Sequence, residues 1–341
     1  MSETKANSSN QFIKIPSILP VAKEVHRPLW SVMIPTFNRA AYLEQALQSI
    51  LAQDLGPQKM QIEVIDNCST ASDPKALIQK TGQDRISFYR QPENVGLVGN
   101  LTTCVQRARG HLVHILHDDD LVAPGFYDQM QKAFEREPSI GAAFCRTLFV
   151  NAEGHQIKSF KLQKNTPCIL ENWLERIAVR NLIQPPAIVV RRSVYEELGG
   201  FHPQLIHACD WEMWTRIAAH HSVWYETKIL AYSRVHTSSE SSSFIRSGEN
   251  VMDERRAIEI IYSYLPRSKA DKLYKQVSEN CSRWNIVGAS RMLAKGEVTA
   301  ALVQLRAALK GQLPSVKVMG SLAWLPIRSL GVYIKNTLDF I

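Results

Sequence analysis

Short apolar runs alternate with amphipathic stretches along the first third of the chain. Trp30-Ser31-Val32-Met33-Ile34-Pro35 is an apolar run stopped by a proline, the pattern of a buried parallel strand. Over Ala40–Ala52 the apolar positions Tyr42, Leu43, Ala46, Leu47, Ile50 and Leu51 recur at three- and four-residue spacing, which predicts a helix with one buried face. Gln61–Ile65 predicts a second strand ending at Asp66-Asn67, and Ser69, Thr70 and Asp73 fill the loop after it with turn and capping residues. A third strand is expected over Arg85–Tyr89, a helix over Leu97–Ala108, and a strand over His111–Leu116 that runs into Asp118-Asp119-Asp120. Pro124 is expected to open the next helix, with Phe126, Met130, Ala133 and Phe134 on its inner face.

Strands alternating with helices imply an α/β fold with a mainly parallel sheet flanked by helices. Ligands of such sheets bind outside the carboxyl ends of the strands. Pro35-Thr36-Phe37-Asn38, Asp66-Asn67 and Asp118-Asp119-Asp120 all fall there, so they should converge on one crevice. Three adjacent aspartates alone are commonly a solvated loop. At a strand end beside two other polar termini they form the oxygen-rich cluster that Mg²⁺ or Mn²⁺ needs when it also binds substrate phosphates.

Beyond residue 250, Asp253–Tyr264, Ala270–Ile286 and Val298–Leu309 have helical composition and are punctuated by Gly296 and Gly311, so a C-terminal helical appendage with one hairpin is expected. The chain then divides into an arm (1–28), an α/β domain (29–245, with a nucleotide-binding half 29–125 and an acceptor half 126–245) and a basic helical region (246–341).

With 45% hydrophobic and 21% charged residues the chain is globular, and no apolar run reaches the 18 residues of a membrane span. The polar start MSETKANSSNQ lacks a basic flank and apolar stretch, so a cytoplasmic protein is expected. Six cysteines without a C-x-x-C pair argue for reduced thiols rather than a disulfide framework or zinc site. Of the net charge of +8, an excess of 7 falls in residues 241–341, with 15 Lys and Arg against 8 Asp and Glu, so the cationic surface is separable from the acidic crevice. Such a surface suits anionic lipid headgroups or a phosphate-bearing acceptor, and a nucleic-acid partner is not expected. In 316–341, where Trp324, Tyr333 and Phe340 accompany Lys317, Arg328 and Lys335 and Pro326 breaks the stretch, contact with the inner-membrane surface competes with packing on the domain.

These motifs, in this order, resemble a family 2 glycosyltransferase of the GT-A fold, with the likeness spanning about residues 30–240. Pro35-Thr36-Phe37-Asn38-Arg39 is similar to the family's Pro-Thr-Tyr-Asn-Arg at the end of the first strand, and Ile65-Asp66-Asn67-Cys68-Ser69-Thr70 to its Val-Asp-Asp-Gly-Ser-Thr, with Asn67 and Cys68 as departures. Asn94-Val95-Gly96, with Asn100 a turn later, resembles its Asn-x-Gly helix entry. Leu116-His117-Asp118-Asp119-Asp120 followed by Pro124 resembles its metal motif, with His117 in place of the first aspartate. Asp210-Trp211 resembles the site of its catalytic base, with Cys209 where a glutamate is usual, and Arg234-Val235-His236 its Arg-x-His.

The resemblance implies an inverting transfer from a UDP-, GDP- or dTDP-type nucleoside-diphosphate sugar to a saccharide or lipid-linked acceptor, with Mn²⁺ or Mg²⁺ as cofactor. It implies Asp210 as the base, Asp119 and His236 as metal ligands, and Asp66 as reader of the nucleotide base. Pro35, Thr36, Phe37, Asn38, Arg39, Asn67, Asn94, Gly96, Asn100, Asp118, Asp120 and Arg234 would complete the donor site. For the acceptor, Trp211 and Arg192 are candidates, although Trp211 and Trp214 at helical spacing also suit a core. A Rossmann oxidoreductase would need a glycine fingerprint after the first strand, where Pro35-Thr36-Phe37-Asn38 stands. A sugar nucleotidyltransferase would need a glycine-rich basic loop there. A catalytically silent nucleotide-sugar-binding protein of the same fold remains compatible with the departures at Asn67, Cys68, His117 and Cys209.

Overall fold

A computed structural model describes residues 14–309 and residue 320. In the first part β1 (Trp30–Thr36), β2 (Met60–Asp66), β3 (Ser87–Arg90) and β4 (Leu112–Ile115) alternate with α1 (Ala40–Leu51), α2 (Pro74–Gly82) and α3 (Gly96–Arg107). There follow β5 (Leu121–Val122), α4 (Phe126–Arg136), β6 (Ala142–Val150), β7 (Gln156–Ser159), β8 (Cys168–Ile169), α5 (Trp173–Ala178), β9 (Ile188–Arg191), α6 (Arg192–Leu198), α7 (Cys209–His220) and β10 (Val223–Arg234). The helices α8 (Glu240–Ser247), α9 (Glu249–Tyr262), α10 (Arg267–Ala294) and α11 (Val298–Leu309) complete the order.

The sheet runs β3-β2-β1-β4-β9-β6-β10-β5. β1, β2, β3 and β4 are mutually parallel, β6 and β10 are parallel, and β9 is antiparallel to both β4 and β6. Apart from β9 and the edge strand β7, the strands longer than two residues therefore share one direction, and the α/β expectation holds. Alternation along β1 explains the layers. Trp30, Val32 and Ile34 pack with Leu43, Leu47 and Ile50 of α1 and Phe126 and Met130 of α4, while Met33 faces the opposite side with Leu101 and Val105 of α3. Register pairs Thr36 with Asp66, so β1 and β2 end at one level, and Leu116 N donates to Met33 O as the chain leaves β4 for the aspartates.

Three local expectations shift. The third strand begins at Ser87 rather than Arg85, because the Arg85 guanidinium is held by Asp54 (2.6 Å) and Met60 O (2.6 Å), with Gln83–Arg85 a 3-10 turn. Leu121-Val122 forms a strand against Tyr232-Ala231 of β10, and α4 starts at Phe126 after Gly125 with φ +83°, so Pro124 precedes the helix. α9 and α10 are longer than expected, while α11 has the expected bounds, and α9 and α10 place Ala257, Ile258, Ile261, Val277 and Cys281 in the same core as Val190, Phe201 and Trp214. The expected boundary at 245/246 falls inside α8. No described helix is long and apolar enough to cross a membrane, and the stretch 316–341, expected to meet a membrane surface or pack on the domain, lies outside the described residues except for residue 320. All six cysteines are free thiols.

Two backbone positions give direct tests. A Cβ on Gly110 would lie 2.5 Å from the Trp30 carbonyl carbon and 2.6 Å from Ser31 N, a collision with backbone that cannot turn away. Gly110→Ala should cost about 1–3 kcal/mol, read as a lower urea midpoint with unchanged slope; an unchanged midpoint would refute the packing argument. Cys68 takes φ +62°, in the left-handed region where an L side chain costs roughly 1–2 kcal/mol. Glycine removes that cost and returns about 0.5–1 kcal/mol in chain entropy. Cys68→Gly should therefore stabilise the fold by about 0.5–1 kcal/mol, and a lower thermal midpoint would contradict it.

Candidate active site

The chain leaves β4 in a tight turn, with Asp120 N donating to His117 O, and this turn buries Asp118, Asp119 and Asp120 to 2%, 8% and 4% exposure. Buried carboxylates need partners, and these arrive from distant segments. Asp118 accepts from Thr36 Oγ1 (2.7 Å), Phe37 N (3.4 Å) and Arg39 Nη1 (3.4 Å). Asp119 Oδ2 accepts from Arg39 Nη1 (3.0 Å) and lies 3.0 Å from His236 Nε2. Asp120 accepts from Arg234 N (2.8 Å). The Arg234 guanidinium donates to Asp119 O, Ala152 O and Gln45 Oε1 and stacks over Tyr42 at 4.8 Å.

Burial and the neighbouring charge of Asp119 push the Asp118 carboxyl up to about 7. Burial, reinforced by Asp119, pushes Asp120 well above the usual range. Burial opposes charge on Asp119 as well, but the hydrogen bond from His236 and the charge of Arg39 outweigh it and hold this carboxyl below the ordinary value. Negative charge is thus concentrated on the middle aspartate. Burial lowers the His117 imidazole, which leaves it neutral at pH 7 and able to ligate.

Ligand atoms of His117, Asp119 and Asp120 lie within 4.8 Å of one another. One imidazole nitrogen and two carboxylates fit a divalent cation. Asp118 is engaged by Thr36, Phe37 and Arg39, and His236 touches Asp119 rather than joining this group. His117, which sequence reading treated only as a departure, therefore stands with the potential ligands; its signal was its position, one residue before the run.

Pro35, Thr36, Phe37, Arg39, Asn67, Asn100, Asp118, Asp119, Asp120, Asp210 and Arg234 all line one cavity of about 480 Å³. The remaining donor candidates hold its rim in place. Asn38, at φ +56°, accepts from Thr70 N (2.9 Å) and Ala71 N (2.8 Å) and so ties the loop after β1 to that after β2. Asp66 is fully buried and accepts from Ser69 N and from Arg90 Nε (2.6 Å). Asn67 donates to Asn94 Oδ1 (2.8 Å), which also accepts from Gly96 N (2.9 Å), and Asn67 Oδ1 accepts from Val95 N (2.9 Å). These bonds fix the entry to α3, where Gly96 has φ +74°.

On another wall Asp210 occupies the first turn of α7. Its Oδ2 accepts from Asn181 Nδ2 (3.0 Å) and its Oδ1 from Trp211 N (2.6 Å). Burial raises this carboxyl to about 6, against the pull of those two donors. The loop before it is held from α9: Asp253 Oδ2 accepts from Ile206 N (3.0 Å) and Ala208 N (2.8 Å), and Arg256 donates to Gln204 O (2.7 Å). Cys209 donates to Ile206 O, and burial keeps its thiol protonated. Asn181 and Asp253 escaped sequence reading because each acts through a partner at least 29 residues away.

The two acceptor candidates are misplaced by the sequence reading. Trp211 is 4% exposed with its indole N–H spent on Ile177 O (2.7 Å), since its face of α7 points into the core. Arg192 is 2% exposed and donates to Ala108 O and Leu19 O, securing α6 to the N-terminal segment. Neither lines the cavity, whereas Trp214 does. Ser239, Glu240, Phe244 and Ile245 bring α8 over the same cavity, a cover visible in the sequence only as a serine-rich stretch.

A model of glycosyl transferase family 2 matches residues 31–199. An uncharacterized protein of Mycobacterium tuberculosis is 28% identical over 249 residues, 68% of this chain and 75% of its own length. An uncharacterized glycosyltransferase of Methanocaldococcus jannaschii is 26% identical over 198 residues, 58% of this chain and 67% of its own. Among solved structures, S. aureus TarS 1-349 in complex with UDP-GlcNAc superposes with a TM-score of 0.60 at 17% identity, covering 89% of each chain. The mannosyltransferase PcManGT from Pyrobaculum calidifontis, in complex with GDP-Man and Mn²⁺, gives 0.56 at 19% identity, covering 96% of this chain and 92% of its own. At such identities these two likenesses bear on the fold alone. The matched span holds the loops after β1 and β2 and the aspartate run, and the chain belongs to glycosyl transferase family 2, with a fold of the GT-A type.

Proposed function

We propose that the protein transfers a sugar from a nucleoside-diphosphate sugar to an acceptor hydroxyl with inversion, in the synthesis of a cell-surface polysaccharide or glycolipid at the cytoplasmic side of a membrane. The observation that carries this reading is the single cavity shared by the aspartate run and the Asp210 carboxylate. The nucleotide sugars named with the two structural neighbours support the donor class.

In this reading Asp210 accepts the proton of the acceptor hydroxyl, with Asn181 and Trp211 N aiming its oxygens. The acceptor oxygen bonds to the anomeric carbon from the face opposite the diphosphate, and the carbon–oxygen bond to the diphosphate breaks with its electron pair on the leaving group. One displacement inverts the centre. His117, Asp119 and Asp120 would hold a divalent cation, Mn²⁺ or Mg²⁺, whose positive charge would offset the charge developing on the leaving diphosphate. Arg39 stands between Asp118 and Asp119 and keeps their mutual repulsion in check. Its guanidinium and the loop ending β1 form the wall against which the nucleotide lies.

Incubation with UDP-, GDP- and dTDP-sugars plus Mn²⁺ or Mg²⁺ should reveal one donor class that raises the thermal midpoint and is slowly hydrolysed; no response to any of them would sink the reading. With that donor, Asp210→Asn should lower transfer by roughly 10²–10⁴-fold while leaving the donor-induced thermal shift nearly intact. Retained activity would mean that another group is the base. Because Asp210 works deprotonated and burial raises it to about 6, kcat/KM should climb with pH through about 6 and level off above it. Below that point the loss should approach about tenfold per pH unit. A flat profile between pH 5 and 7 would contradict the assignment.

A further inference from the structure

Three exposed cations, Lys158, Arg180 and Arg291, stand close enough for their charges to act on one another beside the cavity wall. Lys158 of β7 lies with Nζ 5.3 Å from the ring centroid of Phe149, a residue of the cavity wall. Arg180 directly precedes Asn181, which donates to Asp210, and lays its guanidinium 5.1 Å over Trp284 of α10. Arg291 follows Trp284 by two helical turns, on the same face. Asn280 Nδ2 donates to Val179 O (3.3 Å) and so fixes α10 against the segment that bears Arg180.

Among the described residues none of these three cations enters an ion pair. They act on one another instead: burial, then the charges of Arg291 and Arg180, hold the Lys158 ammonium below its ordinary range. Apolar groups stand exposed beside them, Trp284 at 39% and Ile157 at 52%. Mutually repelling cations gain from a surface of fixed anions, and an exposed indole favours the boundary between water and hydrocarbon. A soluble phosphate would use the cations and leave Trp284 and Ile157 in water.

We propose that Lys158, Arg180, Arg291 and Trp284 form a docking surface for the phosphate headgroups of an anionic lipid bilayer, which holds the Asp210 side of the cavity toward lipid-anchored acceptors. The orientation toward acceptors rests on the glycosyl-transfer reading, whereas docking itself does not.

The test is co-sedimentation of the full chain with vesicles of phosphatidylcholine, alone or with phosphatidylglycerol. The triple variant Lys158→Gln/Arg180→Gln/Arg291→Gln is compared with a charge-matched control, Lys23→Gln/Lys75→Gln/Lys80→Gln. Wild type and control should prefer the anionic vesicles, and the Lys158→Gln/Arg180→Gln/Arg291→Gln variant should partition less by about fivefold per cation, or ~100-fold in all. Trp284→Ser should weaken binding while leaving its salt dependence unchanged. Equal thermal midpoints for both triple variants would certify folding, with Arg180→Lys/Arg291→Lys, which keeps the charge, as a binding-competent reference. A Lys158→Gln/Arg180→Gln/Arg291→Gln variant within threefold of the control overturns the proposal. So does a wild type that binds soluble tripolyphosphate but not anionic vesicles, which would assign the cations to a free phosphate. Because no donor or turnover enters the measurement, its failure is distinct from failure of the transfer reading.

Discussion

Three adjacent carboxylates buried at the end of β4 repel one another, and satisfying them constrains segments from both halves of the chain. An uncompensated buried charge costs about 3–5 kcal/mol when its partner is removed, so each aspartate has to be met within the fold. The last residue of β1 and the loop after it supply Thr36, Phe37 N and Arg39. The end of β10 supplies Arg234 N and, two residues on, His236. The two-residue strand β5, paired with β10, is what brings that second group back to the run. The result is uneven: Asp119 keeps its charge, while burial drives Asp118 and Asp120 toward their protonated forms. Such a cluster has an electrostatic deficit that a divalent cation would relieve, and that deficit follows from the chain's own geometry.

Asp210 follows the opposite design. It is a single carboxylate with two neutral hydrogen-bond donors and no cation bonded to it, so burial raises it instead of being offset by a partner. A group poised there must be held by its surroundings. The C-terminal helices do this work: Asp253 grips the loop before α7 through two backbone N–H groups, and Tyr264 donates to Glu212, which itself pairs with Arg216 inside α7. Residues from beyond position 250 thus reach the wall that carries Asp210. They share one apolar core with the sheet, and a cut at residue 245 would pass through α8, the helix that covers the cavity.

β1, β2 and β4 were legible because every residue in them is buried and each leads into polar residues at the crevice. The convergence of Thr36, Asn67 and Asp118 follows from parallel register alone. What stayed hidden depends on partners. β5 is two residues long, too short for any periodicity, and exists because Ala231 and Tyr232 pair with it. Trp211 and Trp214 have the same helical spacing relative to the core, and only the packing of α7 decides that the first is sealed under Ile177 O while the second meets the cavity. Arg192 was an acceptor candidate in the sequence, yet two backbone carbonyls claim its guanidinium.

The positions that depart from the family pattern show how the same loop can be held by other chemistry. Asn67 stands where an aspartate is usual, and its Nδ2 donates to Asn94 Oδ1, an oxygen already oriented by Gly96 N. A carboxylate at 67 would face that oxygen with no proton to share, so Asn67 and Asn94 form a matched pair. Cys68 tolerates a left-handed backbone because the flanking Ser69 N bonds to Asp66 and Thr70 N to Asn38, and those bonds leave the residue between β2 and Ser69 no other course. Cys209 sits against Ile206 O in the loop that Asp253 already holds, so no charge is needed there. Substitution at His117 differs in kind, because a neutral imidazole replaces a carboxylate beside three others. One fewer negative charge lowers the repulsion that Arg39 must offset, while a ligand atom is kept within reach of Asp119 and Asp120.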